Sequence, residues 1–283
     1  MAEVRREVER RAGALVSVEE QVSLDSPAST TWDATLTSSS GLVARVRLHV
    51  PKGIPEGERR PGVVLIGGFD TGRHAVRLLP LDVQQVIVSP DYPAEFDFTE
   101  DAEALRRLDE LRDATWDAGA ILLLTADYLE MRPEVDADRI VLVGASLGGF
   151  FAALAAAIDT RFRNVALLYT GADLPRIIAA NGEEAPEPGR RLGADLAALP
   201  VRYLEPARYV PAIAPRPLLL VNGLHDDRIP RESASALMSA ARQPKELVWL
   251  PTGHLEPEDT ALIRALVDTA FARMPILADA SSP

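Results

Sequence analysis

The 283-residue chain contains no cysteine. That excludes disulfides, thiolate metal sites and a cysteine nucleophile together. Histidine is scarce: His49, His74, His225 and His254 are the only four, so an imidazole with a chemical task can be sought by elimination. Positive charge is outweighed, with 30 Lys and Arg against 42 Asp and Glu and a net charge of −12. No basic run is long enough to track phosphates, which argues against a nucleic-acid partner. No apolar stretch approaches the ~18 residues of a membrane span. The start, "MAEVRREVERRAG", has no apolar signal core, and Glu3, Glu7 and Glu9 fit poorly with an acid-poor transit peptide. A soluble cytoplasmic protein is expected, with residues 2–12 a solvated surface helix and assembly with further copies left open.

What is present has an ordinary globular balance, 47% hydrophobic and 25% charged. The length allows a large core within one domain, residues 1–283. Its first sixty residues read as a helix followed by strands. In "LVARVRLHV" (42–50), Val46, Leu48 and Val50 alternate with Arg45, Arg47 and His49, the period of a half-exposed strand. "SSSG" (38–41) turns it back on an earlier strand around Trp32–Leu36, giving a hairpin.

Beyond residue 60 the pattern changes to short continuous apolar runs, near 62–68, 85–93, 139–146, 164–173, 216–223 and 246–254. Unalternating Val, Ile and Leu suit strands buried on both faces of a parallel sheet. Helical stretches near 101–130, 147–158, 231–242 and 257–273 lie between them. This alternation predicts an α/β fold, a mostly parallel central sheet with helices on both faces. The long Gly- and Pro-containing connection within 175–210 is expected to be a cap over a site.

"RIVLVGASLGGFFAALAAA" (139–157) joins a strand to an Ala-rich helix through Gly144, Ser146, Gly148 and Gly149. A phosphate cradle would need G-K-[ST] or G-x-G-x-x-G, and neither spacing occurs here. A nucleophilic serine needs a base, because an alcohol is barely ionised at neutral pH. His49 shares the arginine face of its strand and is expected to be solvated. His74 lacks an acidic partner at a useful spacing, and His225 directly precedes Asp226, where neighbouring extended side chains diverge. His254 ends a strand, and ligands gather outside the carboxyl ends of parallel strands. It is the favoured base. Asp226, at another strand end, is the favoured acid and Asp173 its rival, while the adjacent Asp227 is expected to point away or to cap the following turn. Leu147 at the helix start is the expected first backbone donor to an oxyanion, and Phe69 or Gly68 the second.

These residues carry a resemblance to the α/β-hydrolase superfamily over roughly residues 60 to 272. "VDADRIVLVGASLGG" (135–149) resembles the approach to the serine turn in the dienelactone-hydrolase and prolyl-oligopeptidase-like branch. "PRPLLLVNGLHDDRIP" (215–230) is similar to that branch's acid segment, which points to Asp226, and "PTGH" (251–254) to its histidine loop. Gly67-Gly68 stands where His-Gly is usual, and the dienelactone hydrolases use a cysteine that this chain lacks. A β-propeller of the prolyl oligopeptidases would not fit within 283 residues.

The resemblance implies a serine hydrolase that cleaves small-molecule carboxylic esters through Ser146, His254 and Asp226, without metal or cofactor. A peptidase or thioesterase with the same triad is the alternative among enzymes, and a non-catalytic binding protein on the same fold is the alternative outside them. Arg73 and Tyr92 are expected to line the substrate pocket.

Overall fold

The computed structural model describes residues 1–68, 71–80, 82–93, 108–182 and 189–277. Among them, strands β1 (Leu15–Asp25), β2 (Ser29–Ser38) and β3 (Val43–Pro51) form an antiparallel meander. β3 pairs antiparallel with β5 (Val86–Pro90). From β5 the sheet continues through β4 (Arg60–Ile66), β6 (Val135–Ala145), β7 (Phe162–Leu168), β8 (Leu218–Gly223) and β9 (Lys245–Leu250), all parallel. The resulting order is β1-β2-β3-β5-β4-β6-β7-β8-β9, an open mixed sheet.

Alternate residues of each strand divide the core into two. Val64, Ile66, Ile140, Leu142, Val165 and Leu167 face α1 (Ala2–Ala12), α2 (Leu108–Glu130) and α3 (Leu147–Ile158). Val63, Leu65, Val141, Ala145, Ala166 and Leu168 face the opposite layer. That layer is α7 (Thr260–Arg273) together with a short 3-10 turn, Gly72–Leu78. α6 (Arg231–Ala240) packs beside β8 and β9. The expected helices and buried strands are therefore present, and residues 101–107 of the first expected helix lie outside the described ones.

Three local expectations change. α1 is not solvated all round: Val8 and Ala12 are buried against α2, while Arg11 pairs with Asp117 at 2.9 Å. Arg47, expected on a solvated face, is only 3% exposed. Its Nε and Nη2 donate to the two carboxylate oxygens of Asp33 at 2.7 and 2.8 Å, and its Nη1 donates to His74 Nδ1 at 2.7 Å. The turn Gly72–Leu78 covers that face of β3, as does Val83, whose backbone meets His49. His49 is thus half-buried rather than solvated, and burial lowers its pKa. Strand alternation reports which way a side chain points, and only the covering loop decides whether water reaches it.

The third change concerns 175–210. Its described part holds α4 (Leu174–Asn181), α5 (Gly189–Val201) and three 3-10 turns, which pack on α2, α3 and α6. None of its described residues lines the cavity at Ser146. Asn181 Nδ2 donates to the Arg228 carbonyl at 2.8 Å, tying α4 to the loop that carries Asp226. Residues 183–188 lie outside the described part.

The Arg47 contact sets a test of acid stability. Its hydrogen bonds, with the charge behind them, hold the Asp33 carboxyl below its ordinary range. A depressed folded-state pKa adds stability above the unfolded value of ~3.9, and that stability is lost as pH falls through the lower folded value. Asp33→Asn is expected to lower Tm at pH 7, by the equivalent of about 1–3 kcal/mol for a charged hydrogen-bonded pair. Calorimetry at a series of pH values should show the gap to the native protein closing below pH ~4.

Candidate active site

β6 delivers the chain to Ser146, which has φ 52° and ψ −123° before α3 begins at Leu147. A non-glycine residue in that region is strained and persists only where its surroundings hold it. Here the Ser146 N–H donates to the Leu168 carbonyl at 2.8 Å, and its own carbonyl accepts from Gly149 N at 3.0 Å and Thr170 Oγ1 at 2.9 Å. The turn also requires absent side chains. A Cβ on Gly148 would come within 2.3 Å of the Ile66 carbonyl and 2.5 Å of the Gly67 carbonyl. Gly148 therefore lets the loop after β4 lie directly against the start of α3.

His254 follows β9 through Pro251, Thr252 and Gly253. Two backbone bonds fasten its loop to the one after β8: Leu224 N–H donates to the Leu250 carbonyl at 2.8 Å, and His225 N–H to the Thr252 carbonyl at 2.9 Å. The His254 side chain is 4% exposed and that of Asp226 is fully buried. Ser146 Oγ lies 3.0 Å from His254 Nε2. On the other side of the ring, Nδ1 lies 2.9 Å from Asp226 Oδ2 and 3.1 Å from Oδ1. The carboxylate is itself oriented, because Oδ1 accepts the backbone N–H groups of Arg228 (2.9 Å) and Ile229 (2.8 Å). An acceptor-only carboxylate at Nδ1 places the ring proton there. That leaves Nε2 as the lone-pair nitrogen facing the serine hydroxyl.

Tyr169, not singled out from the sequence, completes the histidine's setting. It directly follows β7 with φ 51°, shares a hydrogen bond between its hydroxyl and that of Thr252, and presents its ring edge-on to His254 at 5.9 Å and 89°. The only sequence signal was an aromatic residue directly after an apolar strand, which ordinary packing also produces.

The other candidates separate cleanly. His225 and Asp227 are exposed. Asp173 precedes α4 with φ 69° and pairs with Arg176 at 2.9 Å. His74 accepts from Arg47, and burial and that guanidinium lower its pKa. Leu147 N–H is the first of α3 and so has no acceptor inside the helix. Gly68 faces the serine, since a Cβ built on it would lie 3.8 Å from Ser146 Cβ. Phe69 lies outside the described residues.

Arg73 and Tyr92 do not line the cavity at Ser146. Arg73 is drawn to Asp91, whose Oδ1 accepts its backbone N–H at 3.0 Å, and it lines a separate polar cleft with Glu19, Asp33 and Arg45. Tyr92 donates its hydroxyl to the Gly67 carbonyl and packs its ring edge-on against Phe151, bracing the loop from behind. Among the described residues no cluster of three or more His, Cys, Asp or Glu is arranged to hold a metal ion. No described helix is long and apolar enough to cross a membrane.

Ser146, Leu147, Gly68 and His254 border a cavity of about 260 Å³ that runs between the sheet and α7. The geometry can thus place a carbonyl carbon beside a hydrogen-bonded hydroxyl, with backbone N–H groups on its other side.

A comparison with family models matches the prolyl oligopeptidase family over residues 122–252, a span that includes Ser146 and Asp226 and stops just short of His254. No curated protein matches the chain. Solved structures do. An acetyl xylan esterase from a Thermoanaerobacterium species is 17% identical, with a TM-score of 0.69 over 98% of this chain and 94% of its own. An acetyl xylan esterase from a Paenibacillus species is also 17% identical, with a TM-score of 0.69 over 95% of this chain and 92% of its own. A cold-adapted esterase from an Arctic intertidal metagenomic library is 17% identical, with a TM-score of 0.58 over 92% of this chain and all of its own. At such low identity the likeness is one of fold, and the chain has an α/β-hydrolase fold.

Proposed function

We propose that the chain is a serine hydrolase that cleaves carboxylic esters through an acyl-enzyme intermediate. The observation that carries this reading is the unbroken hydrogen-bonded line from Ser146 Oγ through both nitrogens of His254 to buried Asp226, at the mouth of an apolar cavity. His254 Nε2 takes the Ser146 proton as Oγ attacks the ester carbonyl. The carbonyl oxygen becomes an oxyanion facing Leu147 N–H and the Gly68 segment, and loss of one such donor elsewhere costs about 3 kcal/mol. Collapse expels the alkoxide, which leaves as the alcohol with the proton from His254. Water then enters, gives a proton to His254 and attacks the acyl carbon. The acid departs as Ser146 recovers its proton. Asp226 remains ionised and stabilises the imidazolium in both halves. The reaction consumes only ester and water.

Peptide-bond cleavage is the second reading, favoured by the match to the prolyl oligopeptidase family. Ester chemistry is preferred because three similar solved structures that each cover more than nine-tenths of the chain are named as esterases. Equal or better turnover of matched peptide amides would reverse that preference.

Ser146→Ala is expected to leave Tm near that of the native protein while nitrophenyl ester turnover falls by about 10⁴-fold or more, and fluorophosphonate labelling should vanish. Unlabelled native protein, with ester turnover unchanged in the variant, would refute the assignment.

Asp226 gives a sharper test because its two oxygens do different work. In Asp226→Asn the amide oxygen stays with the two backbone donors, so the amide N–H₂ turns toward His254 Nδ1. That forces the ring proton onto Nε2 and removes the base, with kcat expected to fall by about 10⁴-fold at little cost in stability. Asp226→Ala also removes the acceptor of the Arg228 and Ile229 N–H groups, and the loss at buried Ile229 costs about 1–3 kcal/mol. Calorimetry should therefore rank the native protein and the Asn variant above the Ala variant. Equal Tm values for the two variants would contradict the role given to Oδ1.

A further inference from the structure

The two faces of the sheet are filled differently. Beneath α2 and α3 the described side chains pack closely, with Leu122, Leu124, Phe151, Leu154 and Ile140 at or near zero exposure. Beneath α7 they do not, and the cavity that begins at Ser146 occupies the gap. Its wall is a stripe along α7, Ile263, Leu266, Val267, Ala270 and Phe271, spaced so that one face of the helix looks into it. Opposite stand the strand residues of the same layer, Val63, Leu65, Ile87 and Val143.

The register measures its depth. Val63 lies level with both Ile87 and Val141, five residues back along β6 from Ser146. At a strand rise of ~3.3 Å per residue that is roughly 16 Å. At the far end Gln85 and Leu277 are 2% and 4% exposed and joined by a hydrogen bond from Gln85 Nε2 to the Leu277 carbonyl at 2.8 Å. Among the described residues, this pair closes the far end.

We propose that this cavity is the acyl site, and that the substrates are esters of medium-chain, unbranched apolar acids of about eight to ten carbons. The inference rests on the serine-hydrolase reading and specifies its substrate class. Size comes first: an apolar cavity of 150 Å³ takes up benzene, so 260 Å³ corresponds to about ten carbons. The order of events then assigns the chain to the acyl side. The alcohol must depart before water reaches the carbonyl, and a group held in a blind cavity behind the acyl-enzyme has no way out. The acyl group stays attached to Ser146 and can occupy the blind end throughout. A two-carbon acyl group would leave most of this apolar wall uncovered.

The test uses the full chain and alkyl fluorophosphonates carrying ethyl or decyl chains, alongside nitrophenyl esters of two to sixteen carbons. Labelling by the decyl reagent is expected to be at least tenfold faster than by the ethyl reagent. For the esters, kcat/KM should peak at eight to ten carbons, at least tenfold above acetate. Ala270→Phe, which adds bulk to the α7 wall of the cavity, should cut the decanoate-to-acetate ratio of kcat/KM at least tenfold and hold or raise Tm. If neither reagent labels the protein, the hydrolase reading itself fails. If both label equally well and kcat/KM falls steadily from acetate upward, that reading stands and the acyl-site proposal is overturned. The reagent comparison needs no variant, so it decides even if Ala270→Phe does not fold.

Discussion

The strained backbone at Ser146 is the constraint on which the rest of the site depends. A serine held at φ 52° lifts its hydroxyl clear of the strand end, but only if the chain around it cannot relax. β7 supplies the hold on one side, through the Leu168 carbonyl and the Thr170 hydroxyl. β4 supplies it on the other, since its loop packs where the side chain of residue 148 would have been. Both neighbours are available because β6 lies between β4 and β7 within the parallel part of the sheet, whose strands end at the same edge.

That common edge also assembles the other two groups. β8 and β9 end side by side, and the two backbone bonds between their following loops hold Asp226 and His254 as one unit. The Asp226 carboxylate is turned by the N–H groups of its own loop before it meets the imidazole, so histidine orientation rests on backbone geometry rather than on one long side chain. α4 braces this loop from outside through Asn181. The long connection thus serves the site by fixing a wall of it.

Much of this was legible in the residues. Continuous apolar runs marked the parallel strands, and four histidines made elimination practical; His254, Asp226 and Ser146 meet as expected. Arg73 and Tyr92 were misplaced, because position next to the oxyanion loop does not reveal which side of that loop a side chain takes. Asp91 draws Arg73 into a polar cleft, and the Gly67 carbonyl draws Tyr92 behind the loop. Arg47 and His49 were misread for a related reason. Alternation along β3 gives their direction correctly, yet the turn at Gly72–Leu78 lies over that direction, burying Arg47 and half-burying His49.

Local chemistry along the chain determined the strand and helix alternation, the small residues around Ser146 and the identity of its partners. These depend on short-range sterics and on residue types with few substitutes, so they are written in consecutive or easily counted positions. Tertiary structure alone decided that α4 ties to the Asp226 loop, that Tyr169 borders His254, and that α7 stands off the sheet above an apolar cavity. Each of these is a matter of which distant surfaces meet and how closely they fill, and a linear pattern of apolar residues reads the same whether the space between two faces is packed or empty.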